Sequence, residues 1–263
     1  MEEMRRFPTG MGVRRAVDRA SCSRSDTRLH MTESWLGRRV FTGQSSWQVV
    51  SGQWPQQVIN TLASYSYGCE LDAITAAAIA ACDGLDGVAD GIVGEVDACL
   101  DSFDPLTLVA TIVDQCPQAP SRASVLISQA AAIVASETWK GPVGNGHRRL
   151  WYGLSPGADL TGNDPAYQPG PDGFAFTNCS ATGKCTGNSK SSFPWFQLFI
   201  AKDPSFDVRN LTDQQFFDMA HAGTQQYASI LGTDDPEMSR FRDSGGKMIT
   251  FHGLVGPSSA CCV

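Results

Sequence analysis

Cysteine placement constrains this 263-residue chain more than any other feature, because the nine cysteines are odd in number and uneven in position. Cys22 lies in a basic head and Cys261 and Cys262 in the last three residues, which leaves an even interior set: Cys69, Cys82, Cys99, Cys116, Cys179 and Cys185. An even set in an acidic, Lys-poor, Gly/Asn/Ser-rich chain suits an oxidising compartment, with free buried thiols as the alternative. Two sequons, Asn178-Cys179-Ser180 and Asn210-Leu211-Thr212, are compatible with secretion but also occur by chance.

A chain of this length that is 42% hydrophobic can bury a full core, as one large domain or two modest ones. A net charge of −7 disfavours phosphate backbones and anionic lipid, so neither nucleic acid nor membrane is expected as a partner. No apolar run approaches the roughly 20 residues of a membrane span. The charge is divided sharply. Residues 1–40 hold nine Arg, no Lys and five acids, and the remainder holds 11 bases and 22 acids. A net +4 head on a −11 body reads first as a basic arm for an acidic partner. Arg without Lys, and no helix or strand periodicity, point instead to a GC-rich coding sequence translated out of frame. Residues 1–10 carry charges but no apolar core, so the chain shows no signal peptide.

Helical spacing covers residues 47–81, with Trp54-Pro55 opening a run through Val58, Ile59, Leu62 and Ala63, and an Ala-rich tract at 73–81. Gly84, Gly87 and Gly91 break it. A second helix is predicted over 121–137, with Ser121 as its cap. Residues 139–194 are rich in Gly, Pro, Asn and Asp and read as an irregular lid, with Leu150-Trp151-Tyr152-Gly153 as one short strand. Residues 194–227 return to helix. Lys247–Phe251 (KMITF) follows Gly245-Gly246 and reads as a buried parallel-type strand. Helices around short buried strands indicate an α/β fold.

Residues 82–93 spell Cys-Asp-Gly-Leu-Asp-Gly-Val-Ala-Asp-Gly-Ile-Val. Three carboxylates in eight residues repel one another unless a cation sits among them, while the glycines let the backbone curl and present carbonyls. Hard oxygen donors on a tight loop suit Ca²⁺, which takes six to eight oxygens at about 2.3–2.6 Å. The spacing is not that of an EF-hand, and a solvated Asp/Gly turn is the alternative. Leu85, Val88, Ile92 and Val93 are expected to anchor the loop to a core. Cys99, 17 residues beyond Cys82, could close it with a disulfide.

These residues resemble the fungal tannase and feruloyl esterase family. The resemblance spans 54–254 and is carried by Trp54-Pro55-Gln56, the 82–93 loop, Trp139-Lys140-Gly141-Pro142, Leu150-Trp151-Tyr152-Gly153-Leu154 with Gly157-Ala158, Lys202-Asp203-Pro204, and Gly245-Gly246-Lys247 leading to His252-Gly253. It implies a partial α/β-hydrolase core with a large calcium-binding lid domain, secreted to the extracellular space and acting on small-molecule or plant-wall phenolic esters. It implies Ca²⁺ as cofactor, held by the side chains of Asp83, Asp86 and Asp90 and the backbone carbonyls of Val88 and Ile92, beside a Cys82 to Cys99 disulfide.

Family chemistry is ester hydrolysis by a Ser on a Gly-Cys-Ser-Thr-Gly elbow, a His general base, an orienting Asp and an oxyanion hole. None of the three catalytic residues is found, so no catalytic residue is assigned. Gly256 stands at the acid position of His252-Gly253-Leu254-Val255-Gly256-Pro257. His252 belongs to the strand-end motif, and His30, His147 and His221 match nothing in the family. From Gly12 onward, joining a permitted third base of each codon to the first two of the next decodes as Cys-Ser-Thr-Gly-Gly-Arg-Gln-Gly-Leu-Val-Leu-Ala-Gln-Arg. Residues 26–37 continue as Tyr-Pro-Thr-Ala-Tyr-Asp-Gly-Ile-Leu-Ala. Arg14 then stands in place of the nucleophile. The expected organisation is an aberrant segment at 1–40 replacing the elbow, mostly lid at 41–240, a return to the core strand at 241–254, and an aberrant or truncated tail at 255–263. Function reads as a carboxylic ester hydrolase whose chain is catalytically incomplete, with a non-catalytic calcium-binding fragment as the alternative.

Overall fold

The computed structural model describes residues 33–37, 45–144, 149–162, 173–187, 195–231 and 237–251. In chain order its elements are β1 (Glu33–Gly37), α1 (Ser45–Leu62), α2 (Gly68–Cys82), α3 (Val96–Ser102), β2 (Ile112–Val113), β3 (Val125–Leu126), α4 (Gln129–Lys140), β4 (Thr177–Cys179), β5 (Cys185–Gly187), α5 (Asp213–Leu231), α6 (Ser239–Asp243) and β6 (Lys247–Phe251). They belong to two units, Met1–Phe41 with Thr233–Gly253, and Thr42–Gly232 with Leu254–Val263.

In the smaller unit β1 and β6 pair in parallel, in register from Glu33 with Lys247 to Gly37 with Phe251. The KMITF segment is thus the parallel strand its composition predicts. Its partner lies in the basic head, where periodicity gives no strand; a ladder is built from main-chain groups and tolerates a sequence without alternation. The other strands form two antiparallel pairs, β2 with β3 and β4 with β5. Among the described residues the chain is helix-rich and its sheets are short.

In the larger unit the single helical stretch predicted over 47–81 is two helices. α1 begins at Ser45, so Trp54-Pro55 does not open it, and Pro55 sits in its interior, where it lacks an N–H for the preceding turn. Ala63, at φ 49°, ends it. α2 starts after Tyr67, whose N–H donates to Glu70 Oε1 at 2.8 Å. Glu70 is only 3% exposed, and its Oε2 accepts from the N–H and the hydroxyl of Ser128 at 2.7 and 2.6 Å. One buried carboxylate therefore closes the N-termini of both α2 and α4, satisfying donors that a helix start leaves open.

The cap of α4 is Ser128, accepting from the Ala131 N–H at 3.2 Å, and not Ser121. Ser121 has φ 54° in a 3₁₀ turn (Pro120–Arg122), and Val125–Leu126 is drawn into pairing with Ile112–Val113, so the helix cannot begin until both are passed. Leu150 to Gly153 is likewise not a strand. An isolated bridge joins Val143 and Arg149, and the strands of this irregular stretch among the described residues are β4 and β5. The return to helix is a π turn (Phe196–Ala201), a 3₁₀ turn (Val208–Asn210) and then α5.

The core of this unit gathers Trp54, Ile59, Leu71, Ile74, Val134, Trp139, Leu154, Leu160, Phe196 and Phe216. Burial of each large apolar side chain contributes about 1.5–3 kcal/mol. The Trp54 ring lies 5.7 Å from Phe216 and 5.6 Å from Phe217, which seats α5 on α1. All six interior cysteines pair, as Cys69–Cys116, Cys82–Cys99 and Cys179–Cys185.

Candidate functional site

The acidic loop leaves α2 at Cys82 through a 3₁₀ turn (Asp83–Asp86) and reaches α3 at Val96. Gly87 at φ 89° and Gly91 at φ 81° take the left-handed backbone that other residues resist. Each carboxylate folds back on its own loop. Asp83 Oδ1 accepts from the N–H groups of Asp90 and Gly91 at 3.0 and 2.8 Å. Asp86 Oδ1 accepts from the Val88 N–H at 2.9 Å, and Asp90 Oδ1 from the Ile92 N–H at 3.0 Å. One oxygen of each carboxylate is thereby used and the other keeps no hydrogen-bond partner among the described residues. Asp86 Oδ2 lies against Gly94, where an added Cβ would come within 2.3 Å.

Below the loop the Cys82–Cys99 disulfide and Val93 form a small buried cluster, with Ile79 and Phe103 packed on it. The expected four-residue anchor is reduced to one, because Leu85, Val88 and Ile92 are exposed and only Val93, at 1%, is buried. A covalent link fixes the loop ends, so the intervening apolar side chains need not reach the core. Among the described residues no three His, Cys, Asp or Glu side chains gather as a metal-holding group. The hard-oxygen character of the donors suits a divalent cation; the three carboxylates are turned to local N–H groups rather than drawn onto one point.

The motif residues outside the loop act as cross-links. Trp54 Nε1 donates to the Glu137 carbonyl at 3.0 Å, and Gln56 Nε2 to the carbonyls of Phe174 and Phe176 at 3.0 and 2.8 Å. Gln57, outside any motif singled out in the sequence, donates to the Leu211 carbonyl and to Asp213 Oδ1. Its interest is invisible in sequence, since a Gln on a helix is usually solvated. Gly141 (φ 79°) and Gly153 let α4 touch the 151–153 backbone: a Cβ on Gly153 would lie 2.1 Å from the Trp139 carbonyl oxygen. Gly157 faces Val93 at ordinary contact distance, linking the Gly157-Ala158 motif to the base of the acidic loop. Lys202 takes φ 55°, and Asp203 is held below the ordinary carboxylate range, first by the Ser205 hydroxyl and then by the Ser205 N–H.

One pattern that sequence analysis missed is a literal Gly-x-Ser-x-Gly at Gly153-Leu154-Ser155-Pro156-Gly157. It is not a nucleophile elbow. Ser155 is 1% exposed, sits in a loop and accepts from the Gly157 N–H at 3.4 Å, whereas an elbow lifts its Ser into the open between a strand and a helix. His221 is exposed on α5. Arg14, His30, His147, His252 and Gly256 lie outside the described residues.

The family model for tannase and feruloyl esterase matches residues 40–262. This chain belongs to that family. The match takes in every motif above and leaves residues 1–39 outside. A probable feruloyl esterase of Arthroderma benhamiae is 31% identical over 209 residues, covering 79% of this chain and 35% of that protein. The tannase of Aspergillus oryzae is 26% identical over 243 residues, covering 80% and 39%. Among solved structures, tannin acyl hydrolase from Aspergillus niger superposes with a TM-score of 0.71 at 27% identity, over 87% of this chain and 40% of that one. The chain thus spans 35–40% of the length of these tannase and feruloyl esterase relatives. No helix of the described residues is long and apolar enough to cross a membrane.

Proposed function

We propose that this chain is the lid region, 41–240, with part of the core, of a secreted serine carboxylic ester hydrolase acting on phenolic-acid esters of sugars or plant-wall polymers, and that as written it lacks its nucleophile. The observation that carries the reading is the family match over 40–262, which leaves outside it the stretch where the elbow is sought. Three disulfides favour an oxidising compartment. Sequencing the transcript across the codons for residues 12–37 tests the account of the head. The neighbouring frame is expected to spell the Cys-Ser-Thr-Gly elbow, and any other reading there removes the frameshift.

Ca²⁺ belongs to the same proposal. The residues that would hold it are Asp83, Asp86 and Asp90 through side chains and Val88 and Ile92 through carbonyls; the unpaired oxygen of each carboxylate and the disulfide-closed loop support this. Bound there, the ion would neutralise three carboxylates and stiffen the segment between α2 and α3. Ca²⁺ at about 100 times its Kd should add roughly 2.7 kcal/mol to stability, seen as a higher Tm. Asp86→Ala should abolish most of that rise without lowering the Tm measured in chelator by a comparable amount. A parent protein whose Tm ignores Ca²⁺ would remove the site.

A further inference from the structure

The two sequons differ in a way that their residue letters do not show. Asn178 and Asn210 are both exposed, but folding consumes their neighbourhoods by different routes. In Asn178-Cys179-Ser180 the central residue is the cysteine that bonds Cys185, only 6 residues on, opposite it in the β4–β5 register. The Ser180 hydroxyl pairs with Thr182 Oγ1 at 2.9 Å and accepts from the Lys184 N–H at 3.1 Å. A loop this short closes at little entropic cost, so the Cys179–Cys185 bond needs only the hairpin's own residues, and the bonds from Thr177 to the Ser66 carbonyl and from Tyr67 to the Gly183 carbonyl are added when the rest of the chain folds.

Asn210-Leu211-Thr212 is ordered from a distance. The Leu211 carbonyl accepts from Gln57 at 3.0 Å, across 154 residues of sequence, and Asp213 accepts from the same side chain. Thr212 turns its hydroxyl to Gln215 to cap α5 only once that helix forms. Contacts of such separation come late, because their loop-closure entropy is met only when the intervening chain has folded. Until then neither the Gln57 bonds nor the α5 cap holds the Asn210-Leu211-Thr212 segment. In the folded chain Asn210 Nδ2 donates to Asp207 Oδ2 at 3.1 Å; a substituted amide keeps one hydrogen, so a glycan leaves that bond possible.

We propose that Asn210 is the main N-glycan acceptor of this chain and that Asn178 is a minor one, limited by early closure of Cys179–Cys185. The inference rests on the export proposed above. The donor is a lipid-pyrophosphate-linked oligosaccharide. A bond forms between Asn210 Nδ2 and the anomeric carbon, the anomeric C–O bond to pyrophosphate breaks, lipid pyrophosphate leaves with the electron pair, and Nδ2 gives up one proton to the transferase.

The test is secretion of the full chain from a eukaryotic host behind a cleavable leader, which supplies export and so separates failure of the acceptor from failure of the secretion reading. The readouts are mass before and after peptide N-glycosidase and peptide mapping of Asn-to-Asp conversion. One dominant glycan step is expected on the parent, lost in Asn210→Gln and kept in Asn178→Gln. Cys185→Ser, which frees Cys179, should add a second step at Asn178. A parent without a glycan, a step that survives Asn210→Gln, or a Cys185→Ser chain with Asn178 still unmodified would each overturn the proposal.

Discussion

No serine-type turnover is the expected result when the purified chain meets a chromogenic phenyl ester. The reaction proposed above needs a nucleophilic Ser, a His base and an orienting Asp, and loss of the nucleophile alone removes about 10⁶ of kcat in a well-measured serine hydrolase. Binding and oxyanion stabilisation leave only a small residue of the rate. Ser155 is the one literal Gly-x-Ser-x-Gly serine in the sequence, and at 1% exposure it cannot meet an ester carbonyl. Turnover that a serine-directed inhibitor blocks, and that Ser155→Ala abolishes, would overturn both the assignment of Ser155 as structural and the proposal that the chain lacks its nucleophile.

Gly153→Ala should cost on the order of 3 kcal/mol or more and lower the Tm by roughly 10 °C. The added Cβ would meet the Trp139 carbonyl oxygen at 2.1 Å, the Trp139 carbonyl carbon at 2.4 Å and the Thr138 oxygen at 2.5 Å, all backbone atoms at the end of α4. Those atoms cannot swing aside as a side chain can, and Leu154 N–H to the Thr138 carbonyl, at 3.0 Å, is the bond that parting them would break. Gly84→Ala is the matched control. Its Cβ meets nothing within 4 Å, so its Tm in chelator should stay near that of the parent, or rise slightly as the unfolded chain loses freedom. Equal melting temperatures for the two variants would show that the 138–154 contact is not rigid.

The same glycine shows how unevenly the fold can be read from residues. Trp139-Lys140-Gly141-Pro142 and Leu150-Trp151-Tyr152-Gly153-Leu154 stand out as family motifs, yet nothing in their spacing says that Gly141 and Gly153 exist to bring two backbones together. The short apolar run of 150–153 imitates a strand, and only the absence of a strand pairing among the described residues corrects it. Ser121 and Ser128 are equal as caps by residue type; the buried Glu70, 58 residues before Ser128, chooses between them. The acidic loop divides in the same manner. Its carboxylates and left-handed glycines are local properties and legible, whereas the exposure of Leu85, Val88 and Ile92 depends on a disulfide fixing the loop ends.

By itself the sequence determined the even interior cysteine set, the helical tracts, the parallel character of Lys247–Phe251, the oxygen-rich loop and the family. Each of these is written in residue type and short-range spacing, over which propensity and charge act directly. Tertiary structure alone decided which cysteines pair beyond Cys82–Cys99, where α1 and α4 begin, that Gln56, Gln57 and Glu70 are cross-links, and that Ser155 is buried. The side-chain cross-links depend on groups from 58 to more than 150 residues away in the chain, and no local pattern encodes a partner at that distance.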